Sequence, residues 1–163
     1  MKIFLLIAAM ICCLSSLQSQ GGGSSLISGT PLGSDNVKST YQNVPDEVKK
    51  KMAIFFEDLI GGDIKEGYNR LLENSPIKRK KQNLNSLIEK TKLSVDLYGS
   101  MFDYEPVSVE MATTSYFKVR FISLHTKIPM RWIFTYYKSP DKGWIITNIL
   151  YDDQTENLFY LND

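Results

Sequence analysis

Apolar residues recur at helical spacing through the first half of the chain and at alternate positions through the second, and the period changes near residue 104. Pro45-Asp46-Glu47 opens a first helix, with proline where no N–H is needed and two acids at the positive end of the dipole. Val48, Met52, Phe55, Phe56 and Leu59 form its apolar face, and Gly61-Gly62 ends it. Asp63 is placed to cap a short second helix carrying Ile64, Tyr68, Leu71 and Leu72. Ser75-Pro76 repeats the cap-then-proline signal and starts a third helix that runs to the residue before Gly99. Its face is Ile77, Leu84, Leu87, Ile88, Thr91 and Val95.

From Tyr104 onward β-branched and aromatic residues predict four strands: Glu105 to Thr113, Tyr116 to Thr126, Met130 to Lys138 and Trp144 to Tyr151. The connections are short enough for antiparallel neighbours, which gives a meander. Met130, Trp132, Phe134 and Tyr136 alternate with Arg131, Ile133, Thr135 and Tyr137, so one face is strongly apolar and packs on the helices while the other is mixed. The expected fold class is α+β, with three N-terminal helices packed on a curved four-stranded antiparallel sheet.

The segment before this pattern has a different character. Lys2, an apolar stretch from Ile3 to Leu14 and the small residue Ser19 read as a secretory signal over residues 1–19, with cleavage before Gln20 and a secreted or periplasmic product. The apolar stretch is short of the ~18–20 residues a spanning helix needs, so no membrane insertion is expected after cleavage. A lipid-modified cysteine needs a small residue before it, whereas Ile11 precedes Cys12 and Cys12 precedes Cys13. Residues 20–43 are rich in Gly and Ser with few large apolar side chains and read as a flexible tether. A single domain is then expected over residues 44–163, free of disulfides because both cysteines leave with the signal.

Charge narrows the function little. Without Lys2, eighteen Lys and Arg face eighteen Asp and Glu, so no general attraction to nucleic acid or anionic membrane is expected. The runs Lys49-Lys50-Lys51 and Lys78-Arg79-Lys80-Lys81 read first as solvated helix faces and second as a patch for an anionic partner. The second run falls in the first turn of the third helix, where the dipole disfavours cations. Core packing explains most of the aromatic side chains, and basic residues are too sparse among them for a nucleic-acid footprint. The glycines match no phosphate loop.

The run Phe55-Phe56-x-x-Leu59-x-x-Gly62-Asp63, then Tyr68-x-x-Leu71 and Ser75-Pro76-Ile77, followed by the late Trp132 and Gly143-Trp144 strands, resembles small exported proteins of the nuclear transport factor 2-like superfamily. The resemblance spans residues 46 to 153 and implies a cystatin-like cone, a wide mouth able to hold a small ligand, and a sheet face used for dimerisation. That fold serves isomerases, dehydratases, hydrolases and pure binding domains, so it does not choose among them. Steroid-isomerase-like members use a pocket acid with tyrosine. Residues matching by type alone are Asp103, Glu105, Glu110, Tyr68, Tyr98 and Tyr136.

The candidate ligand contacts are Tyr68, Tyr98, Arg120, Trp132 and Tyr136. No catalytic residue, metal or cofactor is assigned. His125, the only histidine, stands at a strand end beside a turn, an ordinary place for a surface side chain. Glu105 and Glu110 have opposite parity on one strand, which predicts opposite faces and no acid dyad. Asp152-Asp153 read as a solvated strand end and not a metal pair. Arg120 and Arg131 are expected to be near neighbours across a hairpin, each paired with an acid such as Glu110 unless an anion lies between them. The favoured reading is a non-catalytic exported domain that binds a small apolar ligand or a protein partner through the cone mouth or sheet face, a homodimer through the sheet included. The alternative is a cofactor-independent isomerase or dehydratase.

Overall fold

The computed structural model describes residues 41–159. The expected signal lies outside them, as does the tether except its last three residues. Among those three, Tyr41 and Gln42 are helical, and the Tyr41 ring meets Phe121 edge-on at 5.6 Å.

Helix α1 (Asp46–Ile60) has the expected acids in its first turn, and its five apolar-face residues are all buried. Gly62, at φ +85°, ends the run. Helix α2 (Ile64–Leu71) buries Ile64, Tyr68 and Leu71. The Asp63 side chain makes no cap bond there, contrary to expectation; its backbone carbonyl receives the Gly67 N–H instead. The third helix is split into α3 (Pro76–Arg79) and α4 (Lys81–Tyr98), with Lys80 in a non-helical bend at ψ 86° between them. Two separate anchors account for the break. The Ser75 hydroxyl accepts from the Ile77 N–H and donates to the Ile146 carbonyl at 2.6 Å, fixing α3 on the sheet. The face of α4 centred on Ile88 and Thr91 sets a second direction.

The four strands are β1 (Met101–Thr113), β2 (Tyr116–His125), β3 (Met130–Ser139) and β4 (Gly143–Asp152), in an open antiparallel sheet of order β1-β2-β3-β4. The fold class is therefore α+β, with N-terminal helices packed on a four-stranded antiparallel sheet. Register shifts interrupt β1 at three places and β4 opposite Thr135/Tyr136. Such bulges bend a strand and increase its twist. A 3-10 turn (Thr155–Leu158) follows β4. Among the described residues no helix is long and apolar enough to cross a membrane.

The core lies between α1 and the inward face of the sheet. Phe55 meets Tyr68, Trp132 and Phe134 at 5.2 to 5.9 Å, and Phe56 meets Tyr104, Phe121, Trp132 and Phe134 at 4.4 to 6.1 Å. Both phenylalanines are fully buried. Rings in edge-to-face or offset contact gain about 0.5–1.5 kcal/mol per pair beyond their burial. Replacing Phe56 with Ala (Phe56→Ala) is expected to lower the unfolding free energy by about 3–5 kcal/mol. Urea denaturation checks this, and a loss below about 1 kcal/mol would mean that α1 does not hold the sheet.

Candidate functional site

Inside the sheet's curve the space is occupied by side chains whose polar atoms already have partners. Tyr68 and Tyr136 are fully buried. The Thr91 hydroxyl donates to the Leu87 carbonyl at 2.9 Å, so the Tyr68 hydroxyl must be the donor in its 2.8 Å bond to Thr91. Tyr136 donates to the Met52 sulfur at 2.9 Å. Burial pushes both phenols above the ordinary tyrosine range. Burial of Tyr41, with a smaller contribution from Tyr104, pushes its phenol up to about 12.

His125 is not the surface side chain expected from its position. It is 8 % exposed and stands in a hydrogen-bonded chain. Its Nδ1 lies 2.8 Å from the Gly99 carbonyl, which can only accept, so Nδ1 carries the proton. Nε2 then accepts from the Ser123 hydroxyl at 3.0 Å, and Ser123 accepts from the Trp132 indole N–H at 2.8 Å. A serine hydrogen-bonded to a histidine invites a nucleophilic reading. Ser123 is fully buried, however, and its oxygen is held by the indole, so no substrate atom reaches it. The chain instead ties β2 and β3 to the α4–β1 junction. Gly99 is required there: its φ is +88°, and an added Cβ would collide with the Thr126 hydroxyl.

The other face of the sheet is open. Along β2 the odd positions from 117 to 125 are buried, which turns Arg120, Ile122 and Leu124 outward. Ile133 and Tyr137 of β3 and Ile145 and Leu150 of β4 share that side by register. Tyr137 and Leu150 are about 40 % exposed (39% and 42%), whereas Met130, Trp132, Phe134 and Tyr136 on the inward face of β3 are buried. Two arginines are held flat on this surface. Arg131 makes a two-pronged bond to Asp152 at 2.7 and 3.0 Å. Arg120 bonds Glu110 at 2.8 Å, which holds the Glu110 carboxyl below its usual range, with Lys118 adding to the effect. Arg120 Nε is buried and has no partner among the described residues.

The five candidate ligand contacts do not converge. Tyr68, Trp132 and Tyr136 are in the core, where Phe55 touches both Tyr68 and Trp132. Arg120 is on the open face. Tyr98, near the end of α4, donates to Asp153 at 2.8 Å, and that bond raises its phenol pKa. Glu105 and Glu110 share one face, against the parity argument, because the shift between Pro106 and Ser108 inserts a residue and resets the alternation. They pair with Ile122 and Lys118, too far apart along the strand to form a dyad. Arg120 and Arg131 are diagonal neighbours on the open face, and each has its own acid, as expected. Residue-by-residue reading missed Ser123 and the apolar residues Ile122, Ile133 and Leu150. The signal was present in the second, mixed face of the strands.

No family model, no curated protein and no solved structure matches this chain.

The tyrosines generate a pH signature. A phenol whose pKa is raised on folding leaves stability intact below the unfolded value near 10 and removes it as pH rises through the folded value. The unfolding free energy is therefore expected to fall steeply above about pH 10, and Tyr68→Phe is expected to flatten the fall. Urea denaturation across alkaline pH measures both. An unchanged slope in Tyr68→Phe would show that Tyr68 is not held protonated by the fold.

Proposed function

We infer that this chain is a non-catalytic exported domain that binds a protein partner through the open face of its sheet. The observation that carries the reading is the exposed pair Tyr137 and Leu150, which share the open face with Ile122 and Ile133 by register, opposite a core already filled with rings. The partner would bring an apolar patch to a centre formed by Tyr137 and these aliphatic side chains. Arginine and aromatic anchors surrounded by aliphatic contacts are the usual composition of such centres. Kinship with the nuclear transport factor 2-like superfamily is part of the proposal. It is supported by helices preceding an antiparallel sheet and by packing residues such as Phe55, Phe56 and Trp132. Export is part of it too, supported by the signal-like residues 1–19.

The isomerase alternative calls for a carboxyl beside a tyrosine hydroxyl within the cone. The buried tyrosines bond to Thr91 and Met52, which favours the binding reading. A small apolar ligand in the cone interior would have to displace packed rings, which favours the sheet face over the mouth.

Site-specific photocrosslinking tests the proposal. With p-benzoylphenylalanine in place of Tyr137, the chain expressed in its host is expected to give a discrete crosslinked species, while the same group in place of Asn69 on the helical side gives none. A species at twice the chain's mass would identify the partner as a second copy. Equal crosslinking from both positions, or none from position 137, would contradict the reading.

A further inference from the structure

The two edges of the sheet are guarded very differently. Edge strands expose unpaired N–H and C=O groups, and proteins blunt them with charges, proline and bulges. β1 carries Asp103, Glu105, Pro106 and Glu110 along its length. β4 has no charged residue and no proline between Gly143 and Asp152, and its one bulge, at Thr147, leaves Asn148 to Tyr151 in regular pairing with β3. At its middle, Ser75 covers the Ile146 carbonyl. Beyond that point Thr147, Asn148 and Ile149 line a cleft of about 390 Å³. Consecutive strand residues point to opposite faces, so a wall made of three in a row is the strand's edge.

The facing wall is α4. Asn83, Ser86, Leu87 and Lys90 recur at three- and four-residue spacing and so form one stripe along the helix. Leu87, Ile77 and Ile149 supply an apolar floor, and Lys80 and Lys90 stand at either end. From the first residue of α4, next to Lys80, to Lys90 the helix rises about 13 Å. Neither has a carboxylate partner among the described residues. The nearby acids are already engaged, Asp152 by Arg131 and Asp153 by Tyr98. The cleft lining contains no acid.

We propose that this cleft takes a short extended peptide segment with acidic residues four positions apart, which adds to β4 as a further strand. Four strand steps span about 13 Å and return to the same face, so carboxylates at the first and fifth positions can both turn toward the lysines. Main-chain bonds to the β4 edge supply affinity, and the two ammonium groups select the charge. The site gives a role to the basic run at the α3–α4 break. It is separate from the open face, and neither proposal depends on the other.

The test is fluorescence anisotropy with the full chain and a labelled peptide, Glu-Val-Thr-Val-Glu. Saturable binding that weakens with added salt is expected. The double variant Lys80→Glu, Lys90→Glu, shown by circular dichroism to keep its fold, is expected to bind at least roughly tenfold more weakly, about 1.4 kcal/mol. A peptide N-methylated at alternate residues, which cannot donate to the strand edge, is expected not to bind. Absence of saturable binding, or equal binding by the double variant, would overturn the proposal. So would full binding of the methylated peptide, or displacement by inorganic triphosphate at equal concentration. Those last two results would mean a site for free anions and no added strand.

Discussion

Two adjacent residues of α1, Phe55 and Phe56, are both fully buried, and most of the fold is arranged around that fact. Neighbours on a helix point about 100° apart, so burying both requires partners on two sides. Phe55 finds Tyr68 of α2 together with Trp132 and Phe134 of β3. Phe56 finds Tyr104 of β1 and Phe121 of β2. A sheet that meets a helix over so wide an arc has to curve around it. The shifts in β1 supply bending where the chain passes Tyr104. The helix, the curvature and the antiparallel order thus answer to one packing demand.

The same demand is what the proposed reading rests on when it puts interaction on the outside. Rings occupy the volume inside the curve, and the polar atoms among them are committed in internal chains: Tyr68 to Thr91 to the Leu87 carbonyl, and Trp132 to Ser123 to His125 to the Gly99 carbonyl. A satisfied buried network rigidifies and specifies a core, and it leaves little freedom for chemistry. The sheet's outward face combines branched aliphatics with two flat arginines, and its β4 edge lacks the charges and proline that guard β1. These outer surfaces are where the proposed partners dock.

Period alone made the elements legible. The spacing of Val48, Met52, Phe55, Phe56 and Leu59 located α1, and the alternation through Met130, Trp132, Phe134 and Tyr136 located the inward face of β3. Two things escaped it. A bulge has no periodic signature, so the parity of Glu105 and Glu110 misled, although Pro106 between them was a hint that the ladder is broken there. The break at Lys80 arises from two tertiary anchors, Ser75 on β4 and Ile88 in the core, and local propensity carries no trace of either. The candidate contacts scattered for a related reason. Residue type identifies a tyrosine or an arginine but not which side of a curved sheet it faces, and only register settled that Arg120 stands opposite Tyr68, Trp132 and Tyr136.

A packed interior with its interaction surfaces outside is most directly tested by xenon titration of the methyl-labelled chain, followed by nuclear magnetic resonance. Xenon enters apolar cavities wherever they exist and leaves filled cores untouched. The account requires that the methyls of Met52, Leu72 and Ile146 keep their shifts as xenon pressure rises. Saturable shifts at those interior methyls would reveal a vacant cone and return the function to its inside.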